Sequence, residues 1–292
     1  MTILVPGANG FTGRFVCREL KRRQRSFIAL LRPGSDTAWM DAHQIPVRFS
    51  DLNNTKQLSM QLKGCSALLN VASIGFGSAP SILEACRVAE VSRAVFVSTT
   101  AIFTQLNAGS KVVRQAAETA ITSSGLDTTI LRPTMIYGTP GDRNMIRLIR
   151  WLNKWPVLPV FGNGRSLQQP VHVSDVAWAL AQVLDAPSTI GRQFNISGAA
   201  PLSYNEVVSL TAQALECHVR RLHIPEKPVV AALKYSEQLG IKFQIKAEQI
   251  MRLNEDKAFS HAEASAEFGY FPIAFENGIL QEVELFRAAS YG

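Results

Sequence analysis

Short apolar runs alternate with amphipathic stretches through the first half of the chain. Runs at 2–5, 27–31, 46–49, 66–71, 93–98 and 127–132 have the length and composition of strands. Between them, stretches such as Phe11 to Arg23 and Ser81 to Ala89 place apolar residues at helical spacing. Strands and helices alternating on this scale imply right-handed crossovers and an α/β fold with a doubly wound parallel sheet. Past Pro133 the alternation gives way to helices and loops, which predicts a smaller mixed C-terminal unit. Segment 170–197 regains strand and helix character and is expected to return to the large sheet. The expected division is 1–136 with 170–197 for the sheet unit, and 137–169 with 198–292 for a substrate domain. Ser203-Tyr-Asn-Glu206 reads as a capping box opening a helix.

Composition changes this picture little. The 292 residues are 47% hydrophobic and 18% charged, ordinary for an enzyme with a sizeable core. No apolar stretch approaches the roughly 18 residues of a membrane span. Met1-Thr2 leads straight into Ile3-Leu4-Val5 with no basic leader, so a cytoplasmic protein is expected. Cys17, Cys65, Cys86 and Cys217 are scattered and read as reduced thiols, with no metal-ligand spacing. The net charge of +7 invites a nucleic-acid reading, but no nucleic-acid-binding motif accompanies it.

The first strand runs into Gly7-Ala-Asn9-Gly10-Phe11-Thr12-Gly13, directly before the first helix. A tight glycine turn there lets backbone N–H groups and the helix N-terminus meet a pyrophosphate. A plain strand-to-helix turn would not need three glycines at this spacing.

This G-x-x-G-x-x-G loop resembles that of the extended short-chain dehydrogenase/reductases, with Pro6 where threonine is usual. The resemblance continues along the chain. Asp51-Leu52 is similar to the family's adenine-contacting pair, and Asn70-Val71-Ala72-Ser73 to the loop that passes the cofactor. Phe96-Val-Ser98-Thr99-Thr100 resembles the strand end facing the nicotinamide. Leu131-Arg-Pro133-Thr-Met135-Ile-Tyr-Gly138 resembles the R-P-x-x-x-Y-G turn, which makes Pro133 and Met135 cofactor neighbours. Gln169 to Asp175 and Phe268 to Gly278 resemble further segments of the family. Nucleotide-sugar epimerases share these features, as does the atypical branch containing the NADPH-binding accessory subunit of mitochondrial complex I. The resemblance implies a Rossmann-type fold, a nicotinamide cofactor and a nucleotide-sugar or other carbonyl/alcohol substrate.

NAD-specific sites place a carboxylate after the second strand, against the adenosine ribose. Here that strand ends in Arg32-Pro-Gly-Ser35, with no acid before Asp36. Arg32 is placed to pair with a 2′-phosphate through its forked donors, so NADP(H) is expected over NAD(H).

The family's proton relay is a Tyr-x-x-x-Lys pair on the helix before the sixth strand. Aligning Ala117-Glu118 with the family's A-E places Ser110 at the tyrosine and Arg114 at the lysine. A serine hydroxyl is too weak an acid to replace a phenol, and arginine does not shuttle protons near neutrality. Ser98, Thr99, Thr100, Lys111 and Arg114 are the remaining candidates for the catalytic centre. Three readings stay open: an enzyme whose donor is one of these or a group on the substrate domain, an NADP(H)-binding sensor or assembly subunit with little turnover, or a function outside nicotinamide binding.

From Asp142 to Trp155 the chain reads D-R-N-M-I-R-L-I-R-W-L-N-K-W. Arg143, Arg147, Arg150 and Lys154 fall within a roughly 60° arc of one helix. The stripe fits a solvated face, a phosphate site built on Asn144 and Arg147 for a diphosphate-bearing substrate, or a peripheral membrane contact. His172, in an apolar run, is expected to be a satisfied buried imidazole.

Overall fold

The computed structural model describes residues 1–106, 109–238 and 247–290. The N-terminal part runs β1 (Thr2–Pro6), α1 (Phe11–Arg22), β2 (Ser26–Leu31), α2 (Ala38–Ala42), β3 (Val47–Phe49), α3 (Thr55–Leu62) and β4 (Ala67–Asn70). It continues with α4 (Ala79–Val88), β5 (Arg93–Val97), α5 (Gly109–Thr122) and β6 (Asp127–Pro133). Then come β7 (Ile136–Tyr137), α6 (Met145–Lys154), β8 (Val157–Phe161), β9 (Leu167–Gln168), β10 (Val171–His172), α7 (Val173–Val183) and β11 (Arg192–Ile196). The last part contains β12 (Leu202–Ser203), α8 (Tyr204–Ala214), β13 (Arg220–Ile224), α9 (Glu226–Gln238), α10 (Ala247–Leu253), α11 (Ala262–Phe268) and α12 (Phe275–Ser290).

Among the described residues, seven strands form one sheet in the order β11-β6-β5-β4-β1-β2-β3. Every pairing in it is parallel. The period-2 alternation of a strand divides the side chains between two cores. Ile3, Val5, Ala67, Leu69 and Val95 face α1 and α7, while Leu4, Leu68, Ala94 and Phe96 face α3, α4 and α5. The central strands are therefore buried on both sides, which is why they read as continuous apolar runs. β11 pairs with β6 from Arg192↔Thr129 to Ile196↔Pro133, so the chain leaves the sheet after β6 and returns to complete its edge.

A third core joins α6, β8, α8 and α12 through Tyr137, Ile149, Leu158, Val208 and Ile279. Ser203 and Glu206 form the reciprocal capping box that starts α8. Within the sheet layer, α5 and β6 are tied by the Arg132–Glu118 ion pair, whose guanidinium Nε lies 3.0 Å from both carboxylate oxygens. The four cysteines are free.

His172 departs from the expected satisfied imidazole. Its Nδ1 lies 2.6 Å from Ser174 Oγ, but Nε2 is buried without a partner. Burial pushes its pKa down to about 4, so the ring stays neutral against Tyr137. Gly138 and Gly278 back onto the ring, and the Gly138 backbone offsets only part of the burial effect.

Glu282 of α12 is fully buried. Its Oε2 accepts from the Gly138 amide at 2.9 Å, and the Asp142 carboxylate lies beside it. Burial, then the Asp142 contact, raises its pKa from 4.5 to about 10, so it is protonated at neutral pH. A raised folded value means that the folded state binds a proton the unfolded chain releases. Its contribution is fully present below 4.5 and falls as pH rises towards about 10, by at most about 1.4 kcal/mol per pH unit. Glu282→Gln, which copies the neutral form, is expected to melt at or above wild type at pH 7 and to show a flatter decline in stability between pH 5 and 9. Thermal melts across that range check this. A variant that melts well below wild type with an unchanged pH slope would refute it.

Candidate active site

One continuous cleft of about 1610 Å³ runs along the carboxyl ends of the strands, as expected for an open parallel sheet. It begins at the glycine loop. Gly7 sits at φ +80°, where a side chain would be strained, and a Cβ on it would lie 2.5 Å from the Ala72 amide nitrogen. A Cβ on Gly13 would lie 2.1 Å from the Gly7 carbonyl oxygen, so α1 meets the loop backbone to backbone. Gly10 is different. Its Cβ would meet only the Gly7 carbonyl, at 3.2 Å, and otherwise project into open space. Gly10 is also the N-cap of α1 and supplies no side-chain cap. The result is an uncapped helix start with room in front of it, which suits an anionic pyrophosphate.

Asn9, Phe11 and Thr12 line the same end of the cleft. The Asn9 carboxamide is locked, donating to the Asp36 carbonyl at 3.0 Å and accepting from the Arg14 guanidinium at 2.8 Å. Further along, Arg32, Asp51 and Leu52 line the cleft wall. Among the described residues, the Arg32 guanidinium has no hydrogen-bonding or ionic partner. Asp36, the first acid after β2 in the chain, instead accepts from the Ala38 amide at 2.9 Å and does not line the cleft. Val71, Ala72 and Ser73 form the floor after β4. These residues fit a dinucleotide.

Thr99, Thr100, Arg114, Met135 and Asn144 also line the cleft. Thr99 Oγ1 accepts from the Ala101 amide at 3.2 Å, whereas the Thr100 hydroxyl is turned to the Pro133 carbonyl. Arg114 Nη1 donates to Ser110 Oγ at 2.9 Å, so the two residues expected at the places of the relay pair bond each other. Burial, with Arg252 beside it, lowers the Arg114 pKa.

Four expected site residues are not among those lining the cleft: Ser98, Lys111, Pro133 and Arg147. Ser98 is buried at the strand end with its hydroxyl unpartnered. Lys111 Nζ donates to the Thr104 carbonyl at 2.6 Å. Pro133 is buried as the last residue of β6. Arg147 points outward, because Met145, Ile146 and Ile149 take the inner face of α6.

A segment that sequence reasoning passed over closes the cleft. Residues 252–259 cross it as a strap that contributes Arg252, Glu255, Asp256, Lys257 and Phe259 to the lining. Glu255 anchors the strap to the N-terminal part, accepting from the Thr104 hydroxyl and the Gln105 amide, both at 2.6 Å. Asp256 accepts from the Leu167 amide at 2.7 Å, and Phe259 packs on Phe103 with ring centroids 5.5 Å apart. Lys257 Nζ bonds the Arg252 carbonyl and lies 3.4 Å from Gln168 Oε1. Burial lowers its pKa, Glu255 offsets part of that, and Arg252 adds to it. The only local signal was the charged triplet Glu255-Asp256-Lys257 inside an otherwise unpatterned loop.

The model of an NAD(P)H-binding family matches residues 7–187, and the chain belongs to that family. Its architecture is that of the extended short-chain dehydrogenase/reductases. Among relatives, the mitochondrial NADH dehydrogenase (ubiquinone) 1 alpha subcomplex subunit 9 of Dictyostelium discoideum is 22% identical over 75% of this chain, which spans 65% of that protein's length. An uncharacterized UDP-glucose epimerase, YtcB, of Bacillus subtilis is 25% identical over 72% of this chain and 81% of its own. The 2-alkyl-3-oxoalkanoate reductase of Stenotrophomonas maltophilia is 24% identical over 96% of this chain and 97% of its own. Among solved structures, MoeE5 in complex with UDP-glucose and NAD superposes with a TM-score of 0.75 at 22% identity, covering 99% of this chain and 100% of its own.

The glycines make separable predictions. Gly10→Val is expected to abolish dinucleotide binding with little change in melting temperature, because its side chain enters the cleft and not the core. Gly13→Ala is expected to lower stability by about 1–3 kcal/mol, since the added carbon meets backbone. Cofactor titration beside thermal melting checks both. Gly10→Val protein that stays folded and binds normally would detach the loop from the cofactor.

Proposed function

We propose that this protein is an NADP(H)-dependent oxidoreductase or epimerase acting on a carbonyl or alcohol carbon of a small substrate. The observation that carries the reading is the single cleft joining the glycine cradle to the strap. Its volume, about 1610 Å³, exceeds the roughly 300–1,000 Å³ of a pocket for one small ligand, leaving space for a dinucleotide and a substrate together. Nucleotide sugars are the favoured substrate class, since UDP-glucose accompanies NAD in MoeE5. A non-sugar ketone is the other, after the oxoalkanoate reductase.

Hydride transfer is the chemistry that a bound nicotinamide supplies. The protein's part is to hold the dinucleotide on Gly7–Gly13, take the 2′-phosphate on Arg32, and manage a proton at the substrate oxygen. With Ser110 paired to Arg114, that proton needs another source. Lys257 is our candidate: it lines the cleft, and its desolvated ammonium is a better acid than an exposed lysine. Thr99 stands at the strand end to orient the substrate oxygen. Binding without turnover is the second reading, favoured by Ser110 in the tyrosine place.

NADPH is expected to bind more tightly than NADH, and Arg32→Ala to remove about 1.5–3 kcal/mol of that binding. Equal affinities in the wild type would refute the preference. Lys257→Met is expected to lower kcat by about 10²–10⁴-fold without changing NADPH affinity. As a proton donor Lys257 is active when charged, so wild-type kcat should fall as pH rises through a pKa below the ordinary lysine value. That limb should disappear in the variant. NADPH oxidation with a panel of UDP-sugars and 3-oxo acids is the assay. Tight NADPH binding with no turnover on any of them would establish the second reading.

A further inference from the structure

The net charge of this protein is concentrated in one region. Residues 143–174 contain Arg143, Arg147, Arg150, Lys154 and Arg165 and no acid, and residues 217–225 contain Arg220 and Arg221 and no acid. These seven cations equal the +7 of the whole chain, so elsewhere bases and acids cancel. The fold joins the two segments, because β8 and β13 pair in parallel with Val157 beside Arg220 and Pro159 beside Leu222. All seven cations are exposed, and among the described residues none of them forms an ion pair.

Apolar surface is interleaved with this charge. Trp151 is 42% exposed, Trp155 51%, Val157 41% and Leu222 56%. Leu158 and Val160 face the core, so Val157, Pro159, Arg220 and Leu222 share the outward face of the two-stranded ribbon. Trp151 Nε1 donates to the Val157 carbonyl at 2.9 Å and holds the end of α6 against the ribbon. Lys154 lies over the Trp155 ring at 5.3 Å. Tryptophans and aliphatic side chains among unpaired cations match the chemistry of a lipid headgroup layer, where rings settle at the interface and cations meet phosphates. The apolar face of α6 is already spent on the protein core, so the contact is shallow: an electrostatic footing with Trp155, Val157 and Leu222 as its apolar points.

We propose that the face formed by α6, β8 and β13 docks on an anionic lipid bilayer. This surface serves peripheral attachment, and no described helix is long and apolar enough to cross a membrane. Arg143 and Asn144 at the other end of α6 line the cleft, so docking places the cleft mouth within a helix length of the lipid. The proposal does not depend on which substrate the cleft takes.

The test is flotation of the intact protein with vesicles of phosphatidylcholine containing phosphatidylglycerol, and with vesicles of phosphatidylcholine alone. Binding is expected only to the anionic vesicles, weakening with added salt and accompanied by a blue shift of tryptophan emission. Each cation removed should lower partitioning roughly fivefold, so the charge-reversed Arg147→Glu/Arg150→Glu/Lys154→Glu protein should lose on the order of 100-fold or more. Trp155→Ala and Leu222→Ala, which keep the charge, should each weaken binding and reduce the blue shift. Melting temperature and NADPH affinity report that the variants are folded. Should the triple variant not fold, the salt titration and the two apolar variants decide the matter. No binding to anionic vesicles, equal binding to neutral ones, or a folded triple variant that binds like wild type would overturn the proposal. Capture by soluble polyglutamate without vesicle binding would also overturn it, in favour of an acidic protein partner.

Discussion

Three stretches of backbone meet at the head of α1 with no side chain between them. The Gly7 position lies against the Ala72 amide of the β4 loop, and the Gly13 position against the Gly7 carbonyl. Much of the molecule's working geometry follows from this contact. It sets the height of α1 over the sheet, brings the β4 loop in as the cleft floor, and leaves Gly10 as the one loop glycine facing open space. Asn9 extends the same arrangement sideways, since its carboxamide ties the loop to the segment after β2 that carries Arg32. A methyl group at either packed glycine would move the helix start away from the point where its amide groups converge.

Charged groups inside the molecule show how differently burial is tolerated. Arg93 is nearly enclosed, yet it donates to the Asp127 carbonyl at 2.8 Å and to Thr129 Oγ1 at 2.9 Å, so its charge is spread over several acceptors. Among the described residues Glu282 forms no ion pair and lies beside Asp142, so its low-energy state is the neutral acid. One group stays charged and joins β5 to β6; the other keeps a proton and joins α12 to the turn before α6.

How much of this could be read from the sequence depended on whether each feature was written locally. The strands of the sheet were legible because both their faces are buried, so Ala67-Leu68-Leu69 carries no polar interruption. The capping box at Ser203 and the glycine loop were legible because their residues lie within a few positions of one another. The return of β11 was readable from strand composition. The strap was not, because Glu255 has meaning only beside Thr104 and Gln105, about 150 residues away. Lys257 is an unremarkable lysine until Gln168 and Arg252 surround it. The basic stripe of α6 was visible as a stripe, but its direction followed from how Met145, Ile146 and Ile149 pack.

The excursion between β6 and β11 also bears on how the chain is made. As the polypeptide leaves the ribosome, β1 to β6 can pair in turn, but α7 and β11 emerge only after a further stretch that includes α6, β8 and β9. Until then the open edge of β6 is without its neighbour, and the sheet face that α7 will cover carries bare aliphatic side chains such as Val95 and Leu131. The nascent protein therefore holds its stickiest surface at the moment when its most irregular segment is being synthesised. Chaperone engagement during translation should fall in that window and end as β11 locks onto Thr129 to Pro133.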